Sequence, residues 1–408
     1  MKKIAILFPG TGSQYVGMGK KLCESYEIAN LIFDDANRIL NKDLKNLCLN
    51  GRLTELSKYE NLHPALLTVS YIFYKIYIEN NNIVPVVGAG HSLGEYSALV
   101  CSGAISFEDA LHLVELRGKS IDHIMGAMTV INDCDINYVT NLCNQMNKLK
   151  NMVYLSCINS DKQFILSGTR ENIDRVEDIL IKSGHKITNM YYSTPIHSPM
   201  MMSVADEIEN LINKIDIVEP KYSIISNYTG QICKDVKTIK RNLIYQLTHT
   251  VLWRDTVDAM KHLDVDLYLE VGTKTVLKDL MVENKVESEI LALDNNVDLK
   301  KFNTMVNMFN DRIKIHKYSN TEKIVKCLRI AVSTRNNNTK CSKEGYNQGV
   351  IEPYTAMKNL RLSIEKEGRE ASDREVLEAI EYLNSILDTK KAQSDFRLRQ
   401  MQILDGRA

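Results

Sequence analysis

The strongest constraint on this chain is local: Gly90-His91-Ser92-Leu93-Gly94 stands between a β-branched run at residues 83–89 and a helix-compatible segment at 95–100. A strand that enters a G-x-S-x-G turn and leaves as a helix has one economical geometry, a sharp elbow. The glycines admit a bend that no Cβ would fit, and the serine hydroxyl projects from its apex. Amides of the following helix then face any negative charge that develops beside that oxygen, with Leu93 supplying one donor. The plain alternative is a glycine-rich turn whose serine merely caps a helix, and the pentapeptide alone does not choose between the two.

A serine hydroxyl is a poor nucleophile near neutral pH. Chemistry at Ser92 therefore needs a base within hydrogen-bond reach and a group that fixes the base's tautomer. His197 is the candidate, in Thr194-Pro195-Ile196-His197-Ser198-Pro199, where two prolines stiffen the loop. The chain has eight other histidines, and an ordinary loop histidine reads the same way. Arg117 also has two readings. It is either a cation at the C-terminus of the helix that Ser106 and Asp109 open, or a guanidinium that reaches the pocket and forks onto a free carboxylate, as lysine cannot.

Around these residues the periodicity sets an order of elements. An apolar run at 3–8 reads as a buried strand ending in Pro9-Gly10-Thr11-Gly12-Ser13, a ligand-facing loop. Residues 63–77 have helical spacing, and the helix from Ser106 is expected to close at Arg117-Gly118. From 126 to 195 the order becomes strand (127–131), helix (136–146), strands (153–158 and 163–167), helix (172–183) and strand (186–192), a split βαβ, ferredoxin-like unit. Then follow a helix (204–214), a strand (222–226), one long helix through Trp253 to His262, a strand (267–271) and a turn at Gly272. Strands alternating with helices on both sides of the insert predict a mostly parallel sheet covered by helices. Beyond residue 320 the strands stop. Helices are expected at 321–332, 349–365 and 374–387, the last behind a Ser372/Glu375 capping box, with a polar linker at 333–343.

Composition removes several classes of function. Lys plus Arg equals Asp plus Glu at 51 each, so no net field gathers a phosphodiester backbone, and no nucleic acid is expected as partner. No apolar run approaches the ~20 residues that cross a bilayer, and the N-terminal apolar stretch is too short for a secretory signal. Nine scattered cysteines, with no C-x-x-C pair, predict reduced thiols and a cytoplasmic protein, and no clustered ligands offer a metal site.

Five ordered motifs carry a resemblance: Phe8-Pro9-Gly10-Thr11-Gly12-Ser13-Gln14, Gly90-His91-Ser92-Leu93-Gly94-Glu95-Tyr96-Ser97-Ala98, Arg117-Gly118, His197-Ser198-Pro199, and Gln246-Leu247 with Trp253 beyond it. Together, over about residues 1–290, they resemble the malonyl-CoA:acyl carrier protein transacylases and the acyltransferases of polyketide synthases. The resemblance implies an α/β-hydrolase-like main domain (1–125 and 196–318), a ferredoxin-like subdomain (126–195) and a helical C-terminal extension (319–408). It also implies a ping-pong reaction. Ser92 attacks the malonyl-CoA thioester, His197 takes the proton, and amides of Thr11 and Leu93 hold the oxyanion. A main-chain carbonyl near Gln246 orients His197, and Arg117, with His91 beside it, binds the malonyl carboxylate. The phosphopantetheine thiol of an acyl carrier protein then collects the acyl group. No metal or organic cofactor is implied, and a monomer is expected.

Four positions depart from the family: Thr11 and His63 stand where glutamine is usual, Thr250 where proline is usual, and Gly272-Thr273-Lys274 lacks the usual proline and second glycine. The tail, notably Gly349-Val350-Ile351-Glu352-Pro353-Tyr354, is similar to extensions of discrete, trans-acting acyltransferases of polyketide synthases, and is either packing or a docking device. Two other readings stay open. One is an acyl hydrolase of the same fold that clears stalled chains from carriers, in which a buried Arg117 would have no use. The other is an inactive carrier-binding scaffold, against which the retention of Ser92, His197 and Arg117 speaks.

Overall fold

The structure, a computed structural model, describes residues 3–79, 81, 83–148, 152–190, 193–314, 319–334, 336–338, 341–392 and 397. The chain divides into two compact units, Met1–Phe302 and Asn303–Ala408. The division falls within the helix Asn296–Lys314, ahead of the boundary expected at 318 and 319.

Among its described residues the first unit has ten strands: β1 Ile4–Phe8, β2 Val87–Gly90, β3 Ala127–Asn132, β4 Val153–Ile158, β5 Phe164–Gly168, β6 Lys186–Met190, β7 Ser223–Ile225, β8 Val251–Leu252, β9 Leu267–Glu270 and β10 Glu289–Ala292. One sheet has the order β10-β9-β1-β2-β7 with every pair parallel. Its central strand explains itself: Ile-Ala-Ile-Leu-Phe is apolar throughout, and Ala5, Ile6, Leu7 and Phe8 are fully buried, as a parallel strand covered on both faces must be. The register, Leu7 beside both Ala89 and Glu270, brings the carboxyl ends of β1, β2 and β9 to one edge. The Gly10–Gln14 loop, the serine elbow and the Gly272 turn therefore emerge together, where open parallel sheets bind ligands.

The second sheet has the order β6-β3-β5-β4-β8. Strands β3 to β6 pair antiparallel, and β8 joins the edge of β4 in parallel, Cys157 opposite Val251. The helices Ile136–Lys148 and Arg170–Lys182 close a separate core with it, including Val139, Phe164, Leu166, Ile173 and Val176.

Two expectations are corrected here. The single helix expected to run through Trp253 is two helices, Val236–Thr248 and Trp253–Lys261, with β8 between them. Thr250 Oγ1 donates to the Leu155 carbonyl at 2.7 Å and the Leu252 amide to the Asn227 carbonyl at 2.8 Å. Pairing with distant strands wins over continuing the helix, and helical spacing in the sequence carries no trace of those partners. The helix from Ser106 does not close at Gly118 either; it runs Phe107–Asp122. A Cβ on Gly118 would lie 2.3 Å from the Tyr59 carbonyl oxygen. The glycine permits close approach of two helices and is not a stop signal, so Arg117 sits mid-helix and its reading as a helix-terminal cation falls.

The helix it approaches is Tyr59–Phe73, which continues as a π-helix at Tyr74–Glu79. Pro64 inside it cannot donate to the Glu60 carbonyl, and Lys42 Nζ approaches that oxygen at 3.5 Å. The helices Lys20–Ser25, Glu27–Leu40, Leu44–Asn50 and Leu53–Leu56 occupy a stretch for which the sequence patterns named no element.

In the second unit, Asn320–Ser333, Glu352–Glu367 and Asp373–Thr389 form the three expected helices, preceded in the case of Glu352–Glu367 by Lys343–Tyr346 and a π-turn at Asn347–Ile351. They enclose Ile324, Cys327, Met357, Ile364, Ala379, Leu383 and Ile386. Both Ser319/Glu322 and Ser372/Glu375 form capping boxes. The buried Lys390 donates to the carbonyls of Ala331 and Thr334, satisfying groups that the end of Asn320–Ser333 leaves open. All nine cysteines are free. Among the described residues no helix is long and apolar enough to cross a membrane.

Candidate active site

The elbow is strained as its sequence requires. Ser92 has φ 53° and ψ −108°, between β2 and the helix Leu93–Cys101. A Cβ on Gly94 would lie 1.9 Å from the Phe8 carbonyl oxygen, so the turn closes against β1 only with glycine there. Asn227 clasps the bend: its Oδ1 accepts the Ser92 amide at 2.6 Å and its Nδ2 donates to the Gly90 carbonyl at 2.5 Å. The backbone strain is thus held by a residue that follows β7, far away in the chain.

His197 reaches the elbow from the other side, itself at φ 60°. Its Nε2 lies 2.7 Å from Ser92 Oγ and its Nδ1 lies 2.6 Å from the Gln246 carbonyl oxygen. A carbonyl only accepts, so Nδ1 carries the proton and Nε2 presents a lone pair to the serine hydroxyl. Gln246 lies in the last turn of Val236–Thr248, where carbonyls have no intrahelical partner, which is why one is available. Burial pushes the His197 pKa down to about 3, with the Arg117 charge adding to the effect and the Gln246 carbonyl opposing it. The ring is neutral at physiological pH.

Arg117 is fully buried and projects to the same oxygen, its Nη2 donating to Ser92 Oγ at 3.1 Å. The guanidinium lies over the Tyr96 ring at 5.4 Å from its centroid. Among the described residues its Nε and Nη1 have no hydrogen-bond partner and no carboxylate pairs with it. Burial pushes its pKa down, opposed by Tyr96, Tyr59 and Glu95. A buried cation with idle donors is costly unless an anion arrives.

His91 is tied to the inserted segment: its Nε2 lies 2.8 Å from Asn159 Oδ1, and Asn159 Nδ2 donates in turn to Gln163 Oε1. Its ring meets that of Trp253 at 5.5 Å. Thr11 is half-buried in the loop after β1, where Gln14 Oε1 accepts the Gly12 amide. Neither the Thr11 nor the Leu93 amide has an acceptor among the described residues. The departure at Gly272-Thr273-Lys274 acts on this loop, because Lys274 Nζ donates to the Gly12 carbonyl at 3.0 Å. His63 is fully buried beside Tyr59, and burial followed by the Arg117 charge pushes its pKa well down, opposed by the Val114 backbone.

The structure thus brings Ser92, His197, Gln246 and Arg117 into one connected group. Two further residues, Glu95 and Asn227, join this group, and the sequence reading assigns neither a role. Glu95 accepts from Gln246 Nε2 at 2.6 Å and from the Asn227 amide at 3.2 Å. Its place one residue past the G-x-S-x-G turn was a usable signal. Asn227 had none, since nothing local distinguishes it from any turn asparagine.

A hydroxyl, a neutral imidazole and an unpaired guanidinium within mutual reach suit serine-dependent acyl transfer. The chain matches the acyl transferase domain family over residues 6–290 and belongs to it. Malonyl CoA-acyl carrier protein transacylase of Bacillus subtilis is 34% identical over 296 residues, which span 72% of this chain and 74% of that protein. FabD from Acinetobacter baumannii matches with a TM-score of 0.71 at 29% identity, over 75% of this chain and 99% of its own. A malonyl-transacylase solved in complex with its type II PKS acyl-carrier protein matches with a TM-score of 0.71 at 31% identity, over 74% and 98%. The family match leaves residues 291–408 outside it.

Proposed function

We propose that this acyltransferase moves a malonyl group from malonyl-CoA to the phosphopantetheine thiol of an acyl carrier protein through an acyl-Ser92 intermediate. The observation that carries the reading is Arg117. It is buried, has two unpartnered nitrogens, and hydrogen-bonds the nucleophile oxygen itself. Malonyl thioesters carry a carboxylate one methylene away from the reacting carbonyl, which matches a guanidinium so close to Ser92. An uncharged acyl group would leave the cation uncompensated, so nothing favours the hydrolase reading here.

In the first half-reaction Ser92 Oγ bonds to the thioester carbon and its proton passes to His197 Nε2. The amides of Thr11 and Leu93 receive the oxyanion. Collapse breaks the carbon–sulfur bond, and the His197 proton leaves with the CoA thiol. In the second, the carrier thiol gives its proton to His197, its sulfur bonds to the acyl carbon, and the carbon–oxygen bond to Ser92 breaks as Oγ regains the proton. The carboxylate contact falls to Arg117. A neutral His91 whose Nε2–H is spent on Asn159 has only a lone pair left on Nδ1 and adds no donor.

The β3–β6 segment is read as a ferredoxin-like subdomain of an α/β-hydrolase-like domain, and the chain as a cytoplasmic monomer that needs no metal or organic cofactor. Its helical second unit lies beyond the family match; the resemblance of its sequence to tails of trans-acting acyltransferases is the ground for reading polyketide synthesis first, with fatty acid synthesis as the other role of the same reaction.

The test is intact mass after incubation with malonyl-, methylmalonyl- or acetyl-CoA, with and without holo carrier protein. A malonyl adduct that is absent in Ser92→Ala and passes to the carrier is expected. Rapid acyl-CoA hydrolysis with no malonyl adduct would sink the reading.

A further inference from the structure

Gln246 acts through two different groups. Its main-chain carbonyl accepts the His197 Nδ1 proton, while its side-chain Nε2 donates to the Ser92 carbonyl at 3.0 Å and to Glu95 Oε2 at 2.6 Å. The same Glu95 oxygen accepts the amide of Asn227, whose side chain clasps the elbow. Glu95 is buried, 2% exposed, at the junction of an arm to the base and an arm to the nucleophile. In a Ser-His-Asp triad the carboxylate touches the histidine directly. Here a main-chain carbonyl has that place, and a carboxylate stands one residue behind it.

We propose that Glu95 is a positioning residue of the acyl-transfer site, acting on His197 through the side-chain amide and main-chain carbonyl of Gln246. The inference rests on Ser92 and His197 being the reacting pair.

Two physical arguments support it. The last turn of a helix frays unless something holds it, and Gln246 lies in that turn. Anchoring its side chain to Glu95 and to Ser92 fixes where its carbonyl points. The second argument is electrostatic. When the Ser92 proton moves to His197 an imidazolium forms, which an ionised Glu95 favours and a protonated one does not.

The ionisation falls in a useful range. Burial pushes Glu95 up to about 7, opposed by hydrogen bonds from Gln246, Asn227 and Ser226 and by the Arg117 charge. Among the described residues, the charged or titratable groups that face it are Arg117, Tyr96 and Cys233. Tyr96 and Cys233 are each pushed up to about 12, mainly by burial, so they stay neutral while Arg117 stays charged. His197, pushed down to about 3, is already deprotonated. Across about pH 6 to 8 Glu95 alone in this group changes charge.

The experiment follows sulfonylation of Ser92 in the full chain by phenylmethylsulfonyl fluoride, using intact mass, across about pH 6 to 9. In this reaction Ser92 Oγ bonds to sulfur, fluoride leaves, and the proton goes to His197, so the probe reports the serine–histidine pair without any acyl-CoA. Wild type is expected to show a rate that rises through a limb near neutrality. Glu95→Gln still accepts from Gln246 but cannot ionise. It should lose the limb and run about tenfold slower at alkaline pH. Glu95→Ala should be slower throughout. Thermal melting checks each fold, and Glu95→Gln decides alone if Glu95→Ala does not fold. A wild-type limb that persists in Glu95→Gln overturns the inference, as does a wild-type profile with no limb. Normal sulfonylation without a malonyl adduct from malonyl-CoA would instead strike the proposed substrate and leave the role of Glu95 intact.

Discussion

Arg117 Nη2 donates to Ser92 Oγ at 3.1 Å while His197 Nε2 holds the same oxygen at 2.7 Å. A cation and a base therefore share one hydroxyl, and the cation weakens the base. A carboxylate that draws the guanidinium's charge to itself offsets that effect. Under the proposed function, the malonyl carboxylate would in this way help to restore the basicity that acyl transfer needs.

Arg117→Ala should lose malonyl loading while tolerating acetyl. Removing charge-assisted hydrogen bonds worth about 1.5–3 kcal/mol each implies a fall on the order of 10²-fold in kcat/KM for malonyl-CoA. Single-turnover acylation with each acyl-CoA measures the ratio, and equal loss of both would remove Arg117 from the carboxylate role.

The same variant should raise the His197 pKa from about 3, because the Arg117 charge lowers it. Burial remains as the larger cause, so the value stays below the ordinary ~6.5. The sign for stability follows from linkage. A histidine depressed in the folded state contributes stability that is present above its unfolded pKa and lost as pH falls through the window down to its folded pKa, where the unfolded chain takes up the proton first. Arg117→Ala narrows that window from below. NMR titration of the His197 ring reads the shift directly.

Gly118→Ala should act on the site through helix packing. The added Cβ would meet the Tyr59 carbonyl oxygen at 2.3 Å and the Glu60 amide nitrogen at 2.6 Å, backbone atoms that cannot swing aside. The expected cost is about 1–3 kcal/mol. Moving the helix next to Arg117 should also depress malonyl loading more than acetyl loading. Chemical denaturation and the two loading rates check both parts, and a variant as stable as wild type would show that the helices part freely.

Asn227→Ala should leave the Ser92 amide without its acceptor and the Gly90 carbonyl without its donor. Unsatisfied buried groups cost about 1–3 kcal/mol each, so stability falls. A relaxed elbow misplaces Oγ, and kcat should drop by about 10²-fold with KM little changed. Steady-state kinetics beside a denaturation curve distinguish this from simple unfolding.

Much of the site is legible in the sequence. Ser92 stood out because its strain is local, a positive φ that glycine neighbours must accommodate. Arg117 was legible as a residue but misread as an element, because Gly118 is a helix stop by propensity and a packing contact in fact. The break at β8 was invisible for a related reason: Val251 and Leu252 form a strand only because the edge of β4 lies beside them. Asn227 and the bond from His91 to Asn159 depend on partners far away in sequence, and no local pattern encodes them.

By itself the sequence determined the elbow, the buried central strand of the parallel sheet and the order of helices and strands in the insert, since each depends on neighbours a few positions away. The residues by themselves name no partner for Ser92, which the sequence offers only through the family resemblance; the tertiary structure sets His197, 105 residues away, 2.7 Å from its Oγ and the Gln246 main-chain carbonyl 2.6 Å from Nδ1 of the same ring. A backbone carbonyl is the same in every residue. Its selection for this task depends on where a helix ends in space, which sheet pairing settles and residue type does not.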